Sequence, residues 1–323
     1  MRMLVVILTG AMMLALTGNA AGQDIGAVVK DFQLVAALES TRLDWCAKML
    51  ETTLAETTNV TQSRGQQAED VTRVMRHQGC FDPYSSVKEN ESDSTVTGSD
   101  AGPIADFLPS VREVGSDLVV IVPTFSKDYV GLTAGEVLQE RVNALPVGWR
   151  IGIKRIVLDL RGNLGGEIRN LMRTLEVFAP RAGMDFMQVR FPPGAVNPYI
   201  SRVNHGTTKR PGSLANIPLT IIVNGNTASA AEWLVATLRY DWYAKQTTVV
   251  GMESTYGKGV VQCKNTIGGF ELVVTCAHWK VAGIDIHGTG IEPDRKIDFT
   301  ECGFNYTCIS RKLDSVDTQH ASQ

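Results

Sequence analysis

Apolar residues in the middle of the chain follow the same pattern twice. Lys154–Leu160 and Pro218–Val223 are short, almost continuous apolar runs of the kind found in buried parallel strands. Each run ends in a break of glycine or asparagine, and apolar residues then recur at helical spacing, from Ile168 to Phe178 and from Trp233 to Leu238. Two strand–turn–helix units in one chain predict an α/β core built from βαβ units.

Further segments extend this plan on both sides. The pattern predicts a strand at Asp117–Phe125 and an amphipathic helix at Thr133–Leu145. It also predicts helices at residues 25–57 and at Gln66–His77, and two paired strands around Gly268-Gly269. The expected organisation is a signal peptide (1–21), a helical N-terminal segment (22–80), a polar linker (81–107), a core (108–300) and a C-terminal tail (301–323). We expect the polar part of this tail after Cys308 to be frayed.

The N-terminus has the features of a secretory signal. Arg2 supplies the positive charge, Leu4–Leu16 is mostly apolar, and Gly18-Asn19-Ala20 provides small residues before a cut near Ala20 or Ala21. The alternative is a membrane anchor, but the apolar run is short for a bilayer span. We therefore expect an exported protein, periplasmic or secreted, with no stable membrane insertion after cleavage.

Composition narrows the class of protein and its compartment. The chain has 323 residues, 44% of them hydrophobic and 20% charged, with a net charge of −3, which is typical of a globular protein and gives no basic patch for nucleic acid. Its six cysteines fit an oxidising compartment. We expect the pairs Cys46–Cys80, Cys263–Cys276 and Cys302–Cys308, although many other pairings and free thiols remain open. No C-x-x-C motif is present, so a metal site is not expected.

A serine and a lysine carry the candidate chemistry. Ser229 lies where a strand turns into a helix, so that helix N–H groups favour negative charge developing beside it. Lys258 lies between two glycines and leads directly into apolar residues, and a desolvated lysine can act as a base. Together they suffice for nucleophilic acyl transfer. The alternative for Ser229 is an ordinary helix N-cap.

The turn at Gly165-Gly166 offers a third element. Two glycines allow the backbone to approach a substrate closely and to direct N–H groups at an oxyanion. The turn does not match the glycine patterns of nucleotide-binding loops. A plain tight turn is the alternative that stays open.

Four motifs in order resemble the catalytic core of the C-terminal processing (tail-specific) peptidases. They are Asp159–Gly166, Asn226–Glu232, Tyr256–Gln262 and Gly288–Asp294. The resemblance covers about Val119 to Asp294. It implies an α/β, βαβ-built core of the ClpP/crotonase-like type, preceded here by a small N-terminal helical segment. Familiar members carry a PDZ domain before this core, and residues 81–117 are too few to hold one.

The resemblance also implies roles for individual residues. Ser229 would be the nucleophile, Lys258 the general base, and Gln262 the residue that orients the lysine amine. Backbone N–H groups of Gly165, Gly166 and Ala230 would form the oxyanion hole. Such an enzyme needs no metal or cofactor, and its partner would be a protein or peptide substrate. The oligomeric state is left open.

Two other functions remain compatible with the motifs. The family resemblance includes retinoid-binding relatives that use this core without proteolysis, so a non-proteolytic ligand-binding protein is one alternative. An esterase that uses the same serine and lysine is the other. The presence of Ser229, Lys258 and Gln262 together favours a serine endopeptidase.

Overall fold

Strands and helices alternate through the middle of the chain, as the apolar pattern predicts. The structure, a computed structural model, describes residues 48–50, 52–54, 63–78, 85–89, 108–126, 129, 131–185, 189–190, 207–267 and 270–321. Its strands are β1 (Ser86–Glu89), β2 (Ser110–Val114), β3 (Asp117–Ile121), β4 (Arg155–Asp159), β5 (Val189–Arg190), β6 (Leu219–Ile222), β7 (Thr247–Gly251), β8 (Val260–Ile267), β9 (Phe270–Trp279) and β10 (Arg295–Lys296). Its helices are α1 (Arg64–His77), α2 (Ala134–Asn143), α3 (Ile168–Phe178), α4 (Ala230–Ala236) and α5 (Tyr306–Ala321), and a π-helical turn (Thr237–Trp242) follows α4 directly.

The chain divides into two compact units. The first comprises Met1–Gly98, Phe191–Val196 and Gln262–Ala277, and the second comprises Ser99–Arg190, Asn197–Val261 and His278–Gln323. Each unit has its own buried apolar cluster. The candidate nucleophile and base both belong to the second unit.

A six-stranded sheet organises the second unit, in the order β10-β7-β6-β4-β3-β2. All neighbours are parallel except β2, which runs antiparallel to β3. Helices α2, α3 and α4 each connect two adjacent parallel strands, as parallel pairing requires. The predicted βαβ-built α/β core is therefore confirmed. Because β4, β6 and β7 are consecutive in the sheet, the loops at their carboxyl ends meet at one edge, where ligands bind in open α/β sheets.

The C-terminal residues form a helix, which corrects the expectation of a frayed polar tail. Helix α5 places Tyr306, Ile309 and Leu313 in a buried cluster with alternate residues of the central strands, Val119 and Val157 among them. This spacing of three and four residues forms one apolar face on an otherwise polar helix. Cys302 and Cys308 are joined by a disulfide just where the helix starts.

A buried ion pair ties α5 to the sheet. The Arg155 side chain is 6% exposed and donates to the Asp117 carboxylate, which is 1% exposed, at 2.9 Å. Arg155 also pairs with Asp314 and Asp317 on α5. We expect Arg155→Met to lower the free energy of unfolding by about 3 kcal/mol, because it leaves a buried carboxylate without its cation. Denaturant unfolding measures this change.

The adjacent residue provides the control for that prediction. Lys154 pairs with the same Asp314, but both side chains are about half exposed. Lys154→Met should therefore change the free energy of unfolding by less than about 1 kcal/mol. Equal losses in the two variants would show that burial of the Arg155–Asp117 pair does not determine its importance.

In the first unit, α1 packs against a short strand that lies within the expected linker. Helix α1 confirms the helix predicted at Gln66–His77 and begins at the N-cap Ser63, whose hydroxyl accepts from Gln66 N. Strand β1 pairs antiparallel with β9, so residues 86–89 are not linker. The buried Thr72 hydroxyl bonds both the N–H and the carbonyl of Val87, which fixes α1 on the strand.

Several expectations lie outside the described residues. They are the signal peptide (1–21), most of the helix expected at 25–57, and the cysteines at positions 46 and 80; the side chains of Cys263 and Cys276 are likewise outside. Strands β8 and β9 do pair with each other. None of the helices in the described part of the chain combines the length and apolar character needed to cross a bilayer.

Candidate active site

Ser229 occupies a strained position at the start of α4. Strand β6 ends at Ile222, and the chain turns through residues 224–228 before the helix begins. Ser229 has φ 55° and ψ −119°, a conformation that side-chain-bearing residues rarely adopt and that costs about 1–3 kcal/mol. An ordinary N-cap residue has extended dihedrals instead. The half-buried Ser229 is therefore held in a sharp turn that a helix cap does not need.

The Gly165-Gly166 turn lies directly against this serine. A Cβ atom on Gly165 would lie 2.6 Å from the Ala228 carbonyl oxygen and 2.8 Å from both Ala230 N and Ser229 Cβ. Gly166 packs as closely on the backbone of Phe125, which follows β3. Both glycines have positive φ, of 89° and 140°. The two glycines thus permit an approach between loops that any side chain would block.

Buried Asn163 holds these loops together. Its Nδ2 donates to the Val122 carbonyl at 2.8 Å, its Oδ1 accepts from Gly165 N at 2.9 Å, and its carbonyl accepts from Ala228 N at 2.9 Å. The fully buried Asn163 side chain therefore links the end of β3 with the glycine turn. The Asn163 carbonyl links the glycine turn with the serine turn. The sequence motif contained Asn163, but sequence reasoning gave it no role.

The lysine segment attaches to the same edge of the sheet. Tyr256 N donates to the Thr227 carbonyl at 2.9 Å, which joins the loop after β7 to the serine turn. The Gly257 carbonyl accepts from Gly288 N at 2.8 Å, so the Gly288–Asp294 motif is hydrogen-bonded to the lysine segment. Asp294 accepts from Val249 N and from Arg239, which anchors the end of that motif on β7. The half-buried Lys258 is thereby placed on a fixed backbone.

A buried carboxylate connects the serine and lysine backbones. Glu232 is fully buried on the first turn of α4. Its Oε2 accepts from Ser229 N at 2.7 Å and from Lys258 N at 2.8 Å. Its Oε1 accepts from Gly257 N and from the Thr255 hydroxyl, both at 2.6 Å. Four donors therefore satisfy a charge that would otherwise be costly to bury.

Sequence reasoning missed the role of Glu232. The signal was present, since a glutamate three residues after a serine at a helix start is the spacing of a capping box. It is also the one acidic residue in the apolar run from Ala230 to Ala236. Such an isolated charge in a buried segment requires partners, and the structure supplies them from the lysine segment.

Of the three N–H groups expected to form an oxyanion hole, one already has a hydrogen-bond acceptor and two do not. Gly165 N already donates to Asn163 Oδ1. Gly166 N and Ala230 N have no acceptor within the described part of the protein. Two of the three expected donors, on opposite sides of Ser229 in sequence, are thus available to a ligand.

The first motif residues, Asp159 and Arg161, are structural. Asp159 is buried, and Arg161 donates to both of its carboxylate oxygens. The Tyr306 hydroxyl donates to Asp159 Oδ2 at 2.6 Å. Burial and the charge of Asp159 raise the pKa of the Tyr306 phenol, so it stays a donor. This cluster fixes the start of the glycine turn against α5.

The glycine turn gives a prediction with an internal control. We expect Gly165→Ala to lower kcat/KM by about 100-fold, because the new methyl group displaces the Ser229 turn by on the order of 1 Å. Gly162→Ala is the control, since Gly162 lies in the same turn at φ 75° but has open space around it. Its activity should stay within a few-fold. Peptide hydrolysis measures both, and equal losses would contradict the proposed contact.

Comparison with known proteins assigns the family. The model of peptidase family S41 matches residues 118–297, more than half of the chain. The chain therefore belongs to peptidase family S41. The resemblance to C-terminal processing peptidases expected from the four motifs is confirmed.

Individual relatives cover this core. The chain is 33% identical over 152 residues to the carboxy-terminal processing protease CtpA of Bacillus subtilis, covering 46% of this chain and 30% of the relative. It is 34% identical over 145 residues to the chloroplastic carboxyl-terminal-processing peptidase 1 of Arabidopsis thaliana, covering 44% and 27%. The chain thus spans under a third of these relatives' length. A lipoprotein from Streptococcus agalactiae shares the fold, with a TM-score of 0.53, 14% identity, and coverage of 89% and 96%.

Proposed function

We propose that the protein is a serine endopeptidase that hydrolyses peptide bonds through Ser229 and Lys258. The observation that carries this proposal is the buried Glu232 carboxylate, which accepts from the backbone N–H of both residues. It fixes the serine turn and the lysine segment to one rigid group. A ligand-binding protein would have no need for that link or for the strained Ser229 backbone.

The proposed reaction begins with proton transfer from Ser229. Lys258, in its neutral form, takes the proton from the Ser229 hydroxyl as the oxygen attacks a substrate carbonyl carbon. The proton then passes from Lys258 to the leaving amine as the peptide C–N bond breaks, which leaves an acyl-enzyme. Water, deprotonated by Lys258, attacks the ester and releases the second product. Atoms and charges balance without a metal or cofactor.

The developing oxyanion is assigned to Gly166 N and Ala230 N. Both are backbone donors without an acceptor in the described protein. Ala230 follows Ser229 directly, and Gly166 follows Gly165, which packs against Ser229. Ala230 also begins α4, so the helix adds its favourable partial charge. Such preorganised donors typically contribute about 3–4 kcal/mol to the stabilisation of the transition state.

The role expected for Gln262, orienting the Lys258 amine, stays a prediction. Gln262 belongs to the first unit, whereas Ser229 and Lys258 belong to the second.

The proposed substrate is a protein or peptide chain. The two sequence relatives are named for C-terminal processing, and we propose for this chain only the substrate class that those names imply. Export from the cytoplasm is proposed on the N-terminal sequence and on the Cys302–Cys308 disulfide.

One comparison of substrates tests the proposal against both alternatives. The purified chain is assayed on unfolded casein, and on a matched pair of peptide and ester substrates that share the same acyl group. Hydrolysis of casein and of the peptide supports the peptidase. Turnover of the ester alone would favour an esterase, and turnover of none would favour the ligand-binding protein.

A further inference from the structure

The loop that connects α2 to β4 exposes two aliphatic side chains. Val147 is fully exposed and Ile151 is 89% exposed, the two highest values among the large apolar residues of the described chain. The loop covers residues 144–154, and its 11 residues exceed the about 2–6 that usually connect a helix to a strand in α/β proteins. A long loop that presents apolar side chains to water is typical of an interaction surface.

The position of these side chains is fixed by backbone contacts. Ile151 N donates to the Gly148 carbonyl at 2.8 Å, which closes a tight turn. Arg150 donates to the carbonyls of Ser213 and Ala215 at 2.7 and 3.2 Å, which ties the turn to the segment before β6. The loop therefore holds its apolar side chains outward, away from the core.

The exposed side chains are close to each other on this turn. A Cβ atom on Gly148 would lie 3.5 Å from Ile151 Cδ1, so the Ile151 side chain lies against the residue that follows Val147. The half-buried Trp149 lies between them in sequence. Tryptophan is enriched at the boundary between water and lipid, where one part of the indole is apolar and the N–H stays hydrated. Val147, Trp149 and Ile151 are called the apolar tip below.

Exposed cations accompany the apolar tip. Neither the α2–β4 loop nor the segment 207–218, which Arg150 contacts, contains an acidic residue. Arg150, Lys209 and Arg210 are all exposed in these two segments. The Arg150 guanidinium bonds carbonyl groups, which leave its positive charge in place. These segments therefore present a positive surface that complements an anionic one.

Charges on the adjoining segments cancel in pairs. Lys154 is paired with Asp314 on α5. Asp241 and Lys245, both exposed before β7, carry opposite charges four residues apart. The excess of positive charge is thus confined to the two segments beside the apolar tip.

We propose that the apolar tip inserts into the surface of an anionic phospholipid membrane, with Arg150, Lys209 and Arg210 at the level of the headgroups. A bilayer accepts a projecting tip without a matching pocket, and its phosphate groups match the adjacent cations. The contact is peripheral and reversible, because only a few side chains enter the lipid. It does not depend on the proposed peptidase activity.

This orientation leaves the candidate active site accessible. The α2–β4 loop precedes β4, whereas the Gly165-Gly166 turn follows it. The two therefore lie at opposite ends of one strand, separated by roughly 20 Å. A membrane at the amino ends of the parallel strands faces away from Ser229.

Flotation with lipid vesicles tests the contact. The full chain is mixed with vesicles of equimolar phosphatidylcholine and phosphatidylglycerol, or of phosphatidylcholine alone. We expect the double variant Val147→Ser/Ile151→Ser to bind the anionic vesicles about tenfold more weakly, because both apolar side chains are lost. Lys209→Gln and Arg210→Gln should each weaken binding to anionic vesicles about fivefold and leave binding to neutral vesicles unchanged.

A control variant and a local measurement accompany the flotation. Met252→Ser should bind as the wild type does, since Met252 is 53% exposed but follows β7, at the carboxyl ends of the strands. Amide hydrogen exchange locates the contact independently of the apolar N-terminal segment. Anionic vesicles should slow exchange at residues 145–153 in the wild type and not in the double variant.

Three results would overturn the proposal. Unchanged exchange at residues 145–153 on anionic vesicles would exclude a membrane contact there. Protection that persists in the double variant, or a loss in Met252→Ser as large as in the double variant, would show that the apolar tip is not the binding element. Self-association without lipid that the double variant abolishes would instead assign the apolar tip to a second copy of the chain.

Discussion

Replacing Ser229 by alanine is expected to reduce casein hydrolysis by at least about 10³-fold while the protein stays folded. The substitution removes the only atom that attacks the substrate in the proposed reaction. It keeps the main chain N–H that donates to Glu232, and alanine carries the same backbone strain at φ 55° as serine. The measurement is casein hydrolysis together with circular dichroism and denaturant unfolding.

Lys258→Met is the companion variant. Methionine keeps an unbranched apolar stem and the backbone N–H that donates to Glu232, but it cannot accept a proton. The loss should be about 10²–10⁴-fold, the usual contribution of a positioned base. Near-native turnover by Lys258→Met would refute its role as the base, even if Ser229→Ala were inactive.

The Ser229→Gly variant distinguishes the effect of backbone strain on stability from the effect of the lost hydroxyl on activity. Ser229→Gly should be as inactive as Ser229→Ala, yet more stable than it by about 1 kcal/mol, since glycine accepts positive φ without a steric cost. Equal stability of the two variants would mean that the turn stores no strain, and would weaken the argument that Ser229 is more than a helix cap.

The central architecture could be predicted because its signals are local. Apolar runs at Lys154–Leu160 and Pro218–Val223, each followed by helical spacing, identify β4, α3, β6 and α4 without knowledge of their neighbours. Parallel pairing then follows from the connecting helices, and it brings the carboxyl ends together. The proximity of Gly165 and Ser229 was thus accessible from the order of elements.

The two corrected segments had weak or long-range signals. In α5, Tyr306, Ile309 and Leu313 are helically spaced, but polar residues surround them and their partners, such as Val119, are far away in sequence. Strand β1 has only four residues, too few to show a period. It is a strand because it pairs with Phe270–Val273, about 180 residues later, and propensity does not reveal such a contact.

The residues that hold the site together were the hardest to foresee. Asn163 and Glu232 form hydrogen bonds to backbone groups 25–41 residues away, and Glu232 also accepts from the Thr255 hydroxyl, 23 residues away. Sequence spacing can identify them as buried polar residues, but only the fold shows which donors converge on them. The proposed nucleophile and base were recognised as residue types in turns, whereas their common anchor is a tertiary contact.

That anchor gives the second large effect. We expect Glu232→Gln to lower kcat by about 10²-fold and the free energy of unfolding by about 2–4 kcal/mol. The carboxylate accepts four hydrogen bonds, two at each oxygen. A glutamine amide can accept at one oxygen only, and its NH₂ group would then face two donors. Either the serine turn or the lysine segment must move away.

The control is a second carboxylate that binds the same turn but accepts from only one of its backbone N–H groups. Glu253 is exposed and accepts from Gly225 N at 2.9 Å. Glu253→Gln should leave kcat within about two-fold and change the free energy of unfolding by less than about 1 kcal/mol. Both variants are assayed well below their unfolding temperatures, so that loss of folded protein does not imitate loss of rate.

The separate effects of Glu232→Gln on kcat and on KM distinguish a role in positioning Ser229 and Lys258 from a role in folding alone. If it positions Ser229 and Lys258 relative to each other, kcat falls while KM for a short peptide changes little, because the interaction lost belongs to the transition state. If Glu232 serves folding alone, the fully folded Glu232→Gln protein has normal kcat and only its stability falls. A normal kcat would remove the observation on which the proposed dyad depends most, since no other described carboxylate accepts from the backbone of both Ser229 and Lys258.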